Sequence, residues 1–333
     1  MPIKTPSFWY RQPSSPRPLA EALLTPFSSI YQIGHRLNLS SYKTQAVPVP
    51  VICIGNATAG GSGKTPTAIA ISHIIKTNNL FQTPYFLTRG YGASDKTTRI
   101  ISGHETAHET GDEPQILAKH CKTIISVNRY DGAKMAHDDD ADCIIMDDGL
   151  QNMSLKKDVS LLVIDGAVGF GNLKTLPAGP LREPATEALS RTDAIVMIGD
   201  DKTSILEQFS IQKPVFKAKI IPMQKHTSNK KYIGFAGLGR PEKFKNTLIN
   251  AKLDMISFNS FADHHPYSEG DIKNLIAEAN LKNATLITTE KDMHRIPKTF
   301  HDHIAEFKIS LVFDDEALVA SFLKNSTKCD KDR

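Results

Sequence analysis

Cysteine is scarce in this 333-residue chain, and Cys53, Cys121, Cys143 and Cys329 form no C-x-x-C pair. That spacing excludes a disulfide framework and a cysteine-rich zinc site and predicts a reducing compartment. Long apolar runs are missing too. None approaches the ~18 residues that cross a bilayer, and no basic stretch, apolar core and cleavage site follow one another as in a signal peptide; a location inside the cell is expected. Net charge is small, +4, and all of it lies in residues 1–50, where Lys4, Arg11, Arg17, Arg36 and Lys43 face Glu21 alone. The body of the chain is neutral, so no nucleic-acid partner is expected. The only tryptophan, Trp9, sits in an aromatic cluster with Phe8 and Tyr10. Internal repeats and low-complexity tracts are absent. What remains is an ordinary globular composition in a chain long enough for two α/β units.

The most informative segment is Thr58-Ala59-Gly60-Gly61-Ser62-Gly63-Lys64-Thr65. An apolar, β-branched run (Val49, Val51, Ile52, Ile54) precedes it, and Ala68, Ile69, Ala70, Ile74 and Ile75 follow at helical spacing. Strand, glycine-rich loop and helix together make a phosphate-binding loop. The glycines let successive N–H groups converge on an anion, and the helix N-terminus adds partial positive charge. Lys64 is expected to reach the outer phosphates and the Thr65 hydroxyl to ligate Mg²⁺. Thr58 replaces the usual opening glycine, but that position only starts the loop. Dimeric switch ATPases carry a lysine where this chain has Ala59. The guanine-reading Asn/Thr-Lys-x-Asp pattern is broken by Glu290 in Thr289-Glu-Lys-Asp292. Both alternatives lose ground.

Strand-like runs at 84–88, 122–127, 142–147, 159–165 and 193–198 alternate with helical stretches. The expected fold class is α/β: a P-loop NTPase-like parallel sheet with helices on both faces, a smaller C-terminal α/β domain and an N-terminal amphipathic helix. The expected boundaries are 1–45 for the helical segment, 46–212 for the core, 213–325 for the smaller domain with an extended connection, and 326–333 for a frayed tail. In the N-terminal segment Leu19, Leu23, Phe27, Ile30 and Tyr31 form a stripe. Such a stripe fits a helix packed on its own domain as well as one lying in a lipid headgroup layer.

Other constellations carry candidate chemistry. Asp147 and Asp148 end an apolar strand, where an acid can reach the Mg²⁺ shell or simply cap a solvated turn. Gly111-Asp112-Glu113-Pro114 opens a helix; its acids suit the helix dipole, and Asp112 is also a candidate base for an attacking hydroxyl. Asp263-His264-His265 offers an acid–imidazole pair or a polar loop. Arg89, beside Tyr91 after a strand, offers a guanidinium for a phosphate or an acidic substrate. Leu181-Arg182-Glu183-Pro184 presents a charge pair on a stiff, proline-rich loop.

Taken in order, these segments resemble the tetraacyldisaccharide 4′-kinase family of lipid A biosynthesis. The matching pieces are Gly55-Asn56 leading into Gly60-Gly-Ser-Gly-Lys-Thr-Pro66, Arg89-Gly-Tyr-Gly92, Gly111-Asp-Glu-Pro114 and Asp147-Asp-Gly-Leu-Gln151. Pro177-Ala-Gly-Pro-Leu-Arg-Glu-Pro184, Ala236-Gly-Leu-Gly-Arg-Pro241, Asp263-His-His265 and Thr289-Glu-Lys-Asp292 follow. The resemblance implies transfer of the ATP γ-phosphate to the 4′-hydroxyl of a tetraacyldisaccharide 1-phosphate, giving lipid IVA, with ATP and Mg²⁺ as cofactors. It implies Asp112 as base with His264 as partner, and Lys64 and Arg182 as further catalytic groups. Thr65, Asp147, Asp148 and Glu183 are then expected around the metal, and Arg89, Tyr91, Glu113 and Gln151 around the substrate. It also favours the membrane reading of the first helix, on an anionic surface at the cytoplasmic face of a Gram-negative inner membrane, with no obligate protein partner. The rival expectations are a soluble small-molecule kinase or ATP-dependent ligase on the same loop, and a nucleotide-dependent switch.

Overall fold

The computed structural model describes residues 5–11, 15–224 and 230–327. Its strands, in chain order, are β1 (Val51–Gly55), β2 (Pro84–Thr88), β3 (Arg99–Ile100), β4 (Thr123–Ile125), β5 (Cys143–Asp147), β6 (Val159–Asp165) and β7 (Ala194–Ile198). Then follow β8 (Val215–Pro222), β9 (Lys231–Ala236), β10 (Asp254–Ser260), β11 (Thr285–Thr289), β12 (Ile304–Phe307) and β13 (Ile309–Phe313).

Alternation along β1 shows why the larger sheet is buried on both sides. Ile52 and Ile54 join Phe86, Ile145, Leu161 and Val163 in one core. Val51 points the other way, to Tyr85, Leu87, Ile144 and Met146. Successive side chains of a strand face opposite ways, so a strand that is apolar at every position needs cover on both faces. The helices Lys64–Thr77 and Glu316–Thr327 supply it on one face through Ile71, Ile74, Val319 and Leu323. On the other face, Arg129–Asp138 covers one half through Ala133 and Ala136. Ala185–Ser190 and Ile205–Gln208 cover the rest.

The nine strands of this sheet run β13-β8-β7-β6-β1-β5-β2-β4-β3. All neighbours are parallel except the two edge pairs, β13 on β8 and β3 on β4. Strand β1 lies between β5 and β6, and the carboxyl ends of the three strands, Gly55, Asp147 and Asp165, lie at one edge of the sheet, with β6 running three residues past the Gly55–Leu162 pair. Ligands of open α/β sheets bind in that crevice.

A second sheet, β10-β9-β11-β12, is parallel throughout. The helix Glu269–Leu281 packs on one face through Ile272, Leu275 and Ala279, and Pro241–Asn250 on the other through Phe244 and Leu248. The chain then returns to the first unit: β13 pairs with β8, and Glu316–Thr327 joins the large core. A boundary at 213 therefore divides elements that share one sheet, and the compact smaller unit spans 231–307. The extended run Val215–Pro222 is not a free connection. Phe216 and Ala218 alternate into the core, and β13 satisfies its outer edge. The chain is helical through Thr327; the rest of the expected tail lies outside the described residues.

The first helix, Leu19–Ser40, runs through Pro26 and docks with its polar side inward. Glu21 is buried and paired with Arg11 at 2.6 Å, and the Ser28 hydroxyl donates to the Thr175 carbonyl at 2.8 Å. Leu19, Leu23, Phe27, Ile30, Ile33 and Leu37 are left outside, each 57–75% exposed. Tyr31, expected in that stripe, instead faces inward and stacks on His35.

Candidate active site

The phosphate loop owes its curl to two glycines in the left-handed region, Gly60 at φ +100° and Gly63 at φ +96°. Any Cβ on Gly63 would also lie 2.5 Å from Ile198 Cδ1. The helix begins at Lys64, whose side chain is buried against the loop. A second segment lies along the loop's start. The Ala59 amide donates to the Pro180 carbonyl at 2.7 Å, and the Arg182 amide donates to the Ala57 carbonyl at 2.8 Å. Backbone pairing thus delivers Arg182 and Glu183 to the phosphate loop.

The Thr65 hydroxyl donates to Asp147 Oδ2 at 3.0 Å. The other carboxylate oxygen, Oδ1, is buried with no hydrogen-bond partner. Burial, and next the Glu113 charge, push the Asp147 carboxyl above its ordinary range. An unpartnered carboxylate oxygen beside a hydroxyl is an oxygen donor set of the kind Mg²⁺ takes together with nucleotide phosphates, so Thr65 and Asp147 fit the ion. Asp148 is committed elsewhere. Arg182 Nη1 lies 2.9 and 3.0 Å from its two oxygens, and Lys64 Nζ lies 3.7 Å away. Burial alone would raise this carboxyl; Lys64 and Arg182 hold it well below the usual range. Glu183 is fully buried, takes a hydrogen bond from Gln151 Nε2 at 2.8 Å and pairs with Arg191. Gln151 also donates to the Asn56 carbonyl. With both oxygens engaged, Glu183 orders the loop around Arg182.

Asp112 stands at the start of the helix Asp112–Ala118, after Gly111 at φ +86°. A Cβ on Gly111 would collide with the Tyr91 carbonyl at 2.5 Å, so the Arg89–Gly92 loop can lie against the helix start only because residue 111 has no side chain. Asp112 is 3% exposed. His264 Nδ1 and Arg295 Nε lie 3.4 and 3.3 Å from its Oδ2. Burial opposes ionisation there, but His264, Lys291 and Arg295 outweigh it and hold the carboxyl far below its ordinary value. The neighbouring Glu113 accepts from Lys291 at 2.8 Å. His264 has φ +54° and packs on Tyr91, ring centroids 5.2 Å apart. His265 points to Asp271 at 3.2 Å, at the start of the helix Glu269–Leu281. Of the two adjacent histidines, then, the first meets Asp112. Arg89 is exposed at the end of β2.

Several site groups escape a reading of the sequence. Lys291 belongs to the segment that resembles a broken guanine motif and Arg295 follows it three residues on, whereas in the fold Asp292 of that segment anchors the Gly237 amide and the Tyr267 hydroxyl. Asp165, at the end of β6, pairs with Arg240 and Lys243 of the smaller unit. An acid closing the strand next to β1 was the available signal, since that end of the sheet is where ligands bind.

A family model described as Tetraacyldisaccharide-1-P 4′-kinase matches residues 20–328. A relative from Paramagnetospirillum magneticum named tetraacyldisaccharide 4′-kinase is 40% identical over 322 residues, 95% of this chain and 97% of that protein. Another of the same name, from Rhodospirillum centenum, is 36% identical over 317 residues, 94% of each chain. Among solved structures, LpxK from Aquifex aeolicus in complex with ATP superposes with a TM-score of 0.73 at 27% identity. The match covers 93% of this chain and all of that one.

Proposed function

The chain belongs to the tetraacyldisaccharide-1-P 4′-kinase family, and from that premise we propose how the crevice at the carboxyl end of its larger sheet performs the reaction. The protein is an ATP-dependent kinase of lipid A biosynthesis that phosphorylates the 4′-hydroxyl of a tetraacyldisaccharide 1-phosphate.

Phosphoryl transfer asks little covalent chemistry of a protein and much positioning and charge neutralisation. The loop Thr58–Thr65 cradles the phosphates, Lys64 meets the outer ones, and Arg182 stands ready through its contact with Asp148. Thr65 and Asp147 would hold Mg²⁺, which when bound neutralises charge on the phosphate oxygens. Asp112 takes the proton of the attacking hydroxyl. Its low pKa keeps it ionised near neutrality, and His264 orients it and shares the charge. Tyr91, Glu113 and Arg89 border the acceptor side. The observation that carries this reading is the Asp112–His264 pair, an acid and an imidazole from the two units facing each other beside the phosphate loop.

The first helix supplies access to the lipid. Moving an acyl chain out of a bilayer costs ~0.8 kcal/mol per CH₂, so the enzyme must work at the membrane. No helix of the described residues is long and apolar enough to cross one. The outward stripe of Leu19–Ser40 suits an interfacial position on the cytoplasmic face of the inner membrane, each large side chain contributing roughly 1–2 kcal/mol on burial. Its inner side meets the catalytic loop, with His35 Nε2 3.8 Å from Glu183.

The test is incubation of the full chain with radiolabelled ATP, Mg²⁺ and the tetraacylated disaccharide 1-phosphate in mixed micelles. The expected product bears label at the 4′-oxygen. A protein that binds ATP yet leaves this lipid unphosphorylated overturns the reading.

A further inference from the structure

Asp165 carries two cations. Its Oδ2 accepts from Arg240 Nη1 at 3.0 Å and from Lys243 Nζ at 2.8 Å. Both cations come from the smaller unit, Arg240 just before the helix Pro241–Asn250 and Lys243 within it. The two cations share a single oxygen of Asp165, so either can leave while the other stays paired.

The junction adjoins an anion cradle. Arg240, Asp165 and Tyr10 line one small cavity with Gly60, Gly61 and Ser62 of the phosphate loop, and Lys243 does not reach it. The Ser62 hydroxyl there is buried without a hydrogen-bond partner. The Arg240 guanidinium lies 4.6 Å from the centre of the Tyr10 ring, which keeps it extended toward the loop. The backbone is equally close, since a Cβ on Gly239 would come within 3.5 Å of Gly60 Cα.

We propose that Arg240 senses nucleotide phosphate: when ATP occupies the loop, its guanidinium leaves Asp165 for the phosphate oxygens, and Lys243 alone keeps Asp165 neutralised. The proposal rests on the kinase reading above and adds to it which side chain of the smaller unit answers the phosphates. A guanidinium offers a planar fork that matches phosphate, whereas an ammonium acts as a point charge. That division of labour explains why the arginine lines the cavity and the lysine stays on the acid. It also predicts opposite effects for the two ends of the pair. Removing Arg240 removes a phosphate ligand. Removing the Asp165 charge frees Arg240 from its competitor.

Nucleotide affinity of the full chain, measured by calorimetry with Mg²⁺ and without lipid, decides this independently of lipid turnover. Arg240→Ala should weaken ATP binding by about tenfold or more, the loss expected of one charge-assisted contact, and leave AMP within about twofold. Arg240→Lys should recover only part of that loss. Asp165→Asn should tighten ATP binding. If the pair were merely a staple between the units, Arg240→Ala and Asp165→Asn would weaken binding together, and that result overturns the proposal. Should Asp165→Asn fail to fold, ATP affinity within about twofold of wild type in a folded Arg240→Ala variant overturns it alone. A wild-type protein that binds ATP but does not phosphorylate the lipid would remove the kinase reading while leaving these affinities to be judged separately.

Discussion

His264 brings its Nδ1 to 3.4 Å from the Asp112 carboxylate, although the two residues belong to different units of the fold. Asp112 opens a helix beside the nine-stranded sheet, and His264 follows β10 of the smaller one. Arg295 and Lys291 join them from the smaller unit, at 3.3 Å from Asp112 and 2.8 Å from Glu113 respectively. The Asp112–His264 pair is therefore assembled only while the two units are in contact.

Asp112→Asn and His264→Ala should each lower kcat by about 10²–10⁴-fold, the usual contribution of general base catalysis, with ATP affinity little changed. Because the two residues act as a unit, the double variant should be scarcely worse than Asp112→Asn. Steady-state kinetics on the lipid checks this; multiplicative losses would show that the pair does not function together.

Thr65→Val removes the hydroxyl that holds Asp147 Oδ2. Binding of ATP with Mg²⁺ should weaken by about tenfold, the size of a charge-assisted hydrogen bond, and binding of ATP in chelator should stay near wild type. Titration calorimetry in the two buffers separates a metal role from simple damage to the loop, which would weaken both.

On the first helix, Leu23→Glu combined with Ile30→Glu places charge on side chains that are 63% and 67% exposed. The melting temperature should stay unchanged, since among the described residues both side chains lie outside the packed core. Flotation with anionic vesicles should be lost. A variant that still floats like wild type excludes this stripe as the membrane contact.

Stability should depend on pH through Asp112. Its folded pKa lies below the ordinary unfolded value of ~3.9, so its ionisation stabilises the fold above that value and the contribution fades as pH falls below it. Asp112→Asn should therefore cost most stability near pH 7, and its deficit against wild type should shrink toward pH 4 and below. Thermal unfolding across that range reads it directly; a deficit that grows on acidification would contradict the ionised assignment.

The phosphate loop was legible because its information is contiguous. Curl, cradle, lysine and hydroxyl all lie within eight residues, flanked by periodicities that announce a strand and a helix. Asp147 was legible for a related reason, since an apolar run ending in acid is the signature of a strand delivering a carboxylate to the crevice. The domain boundary was not. In the sequence β8 looks like a linker between two units, and only its pairing with β13, nearly a hundred residues later, makes it part of the first sheet. The helix Leu19–Ser40 was legible as a stripe but not as an orientation. Whether the stripe faces in or out depends on Glu21 and Ser28 finding partners in Arg11 and Thr175.

The sequence by itself thus determined that this chain binds nucleotide phosphates and, through the order of its motifs, which acceptor it phosphorylates. Only the tertiary structure decided which charge answers which. It gave Asp112 to His264 and Arg295, Glu113 to Lys291, Asp148 to Arg182, and Asp165 to Arg240 and Lys243. The physical reason is that a phosphate cradle is made of backbone geometry and local turn chemistry, which neighbouring residues encode. Ion pairing is settled by distance and burial in space, and the chain has to fold before either exists.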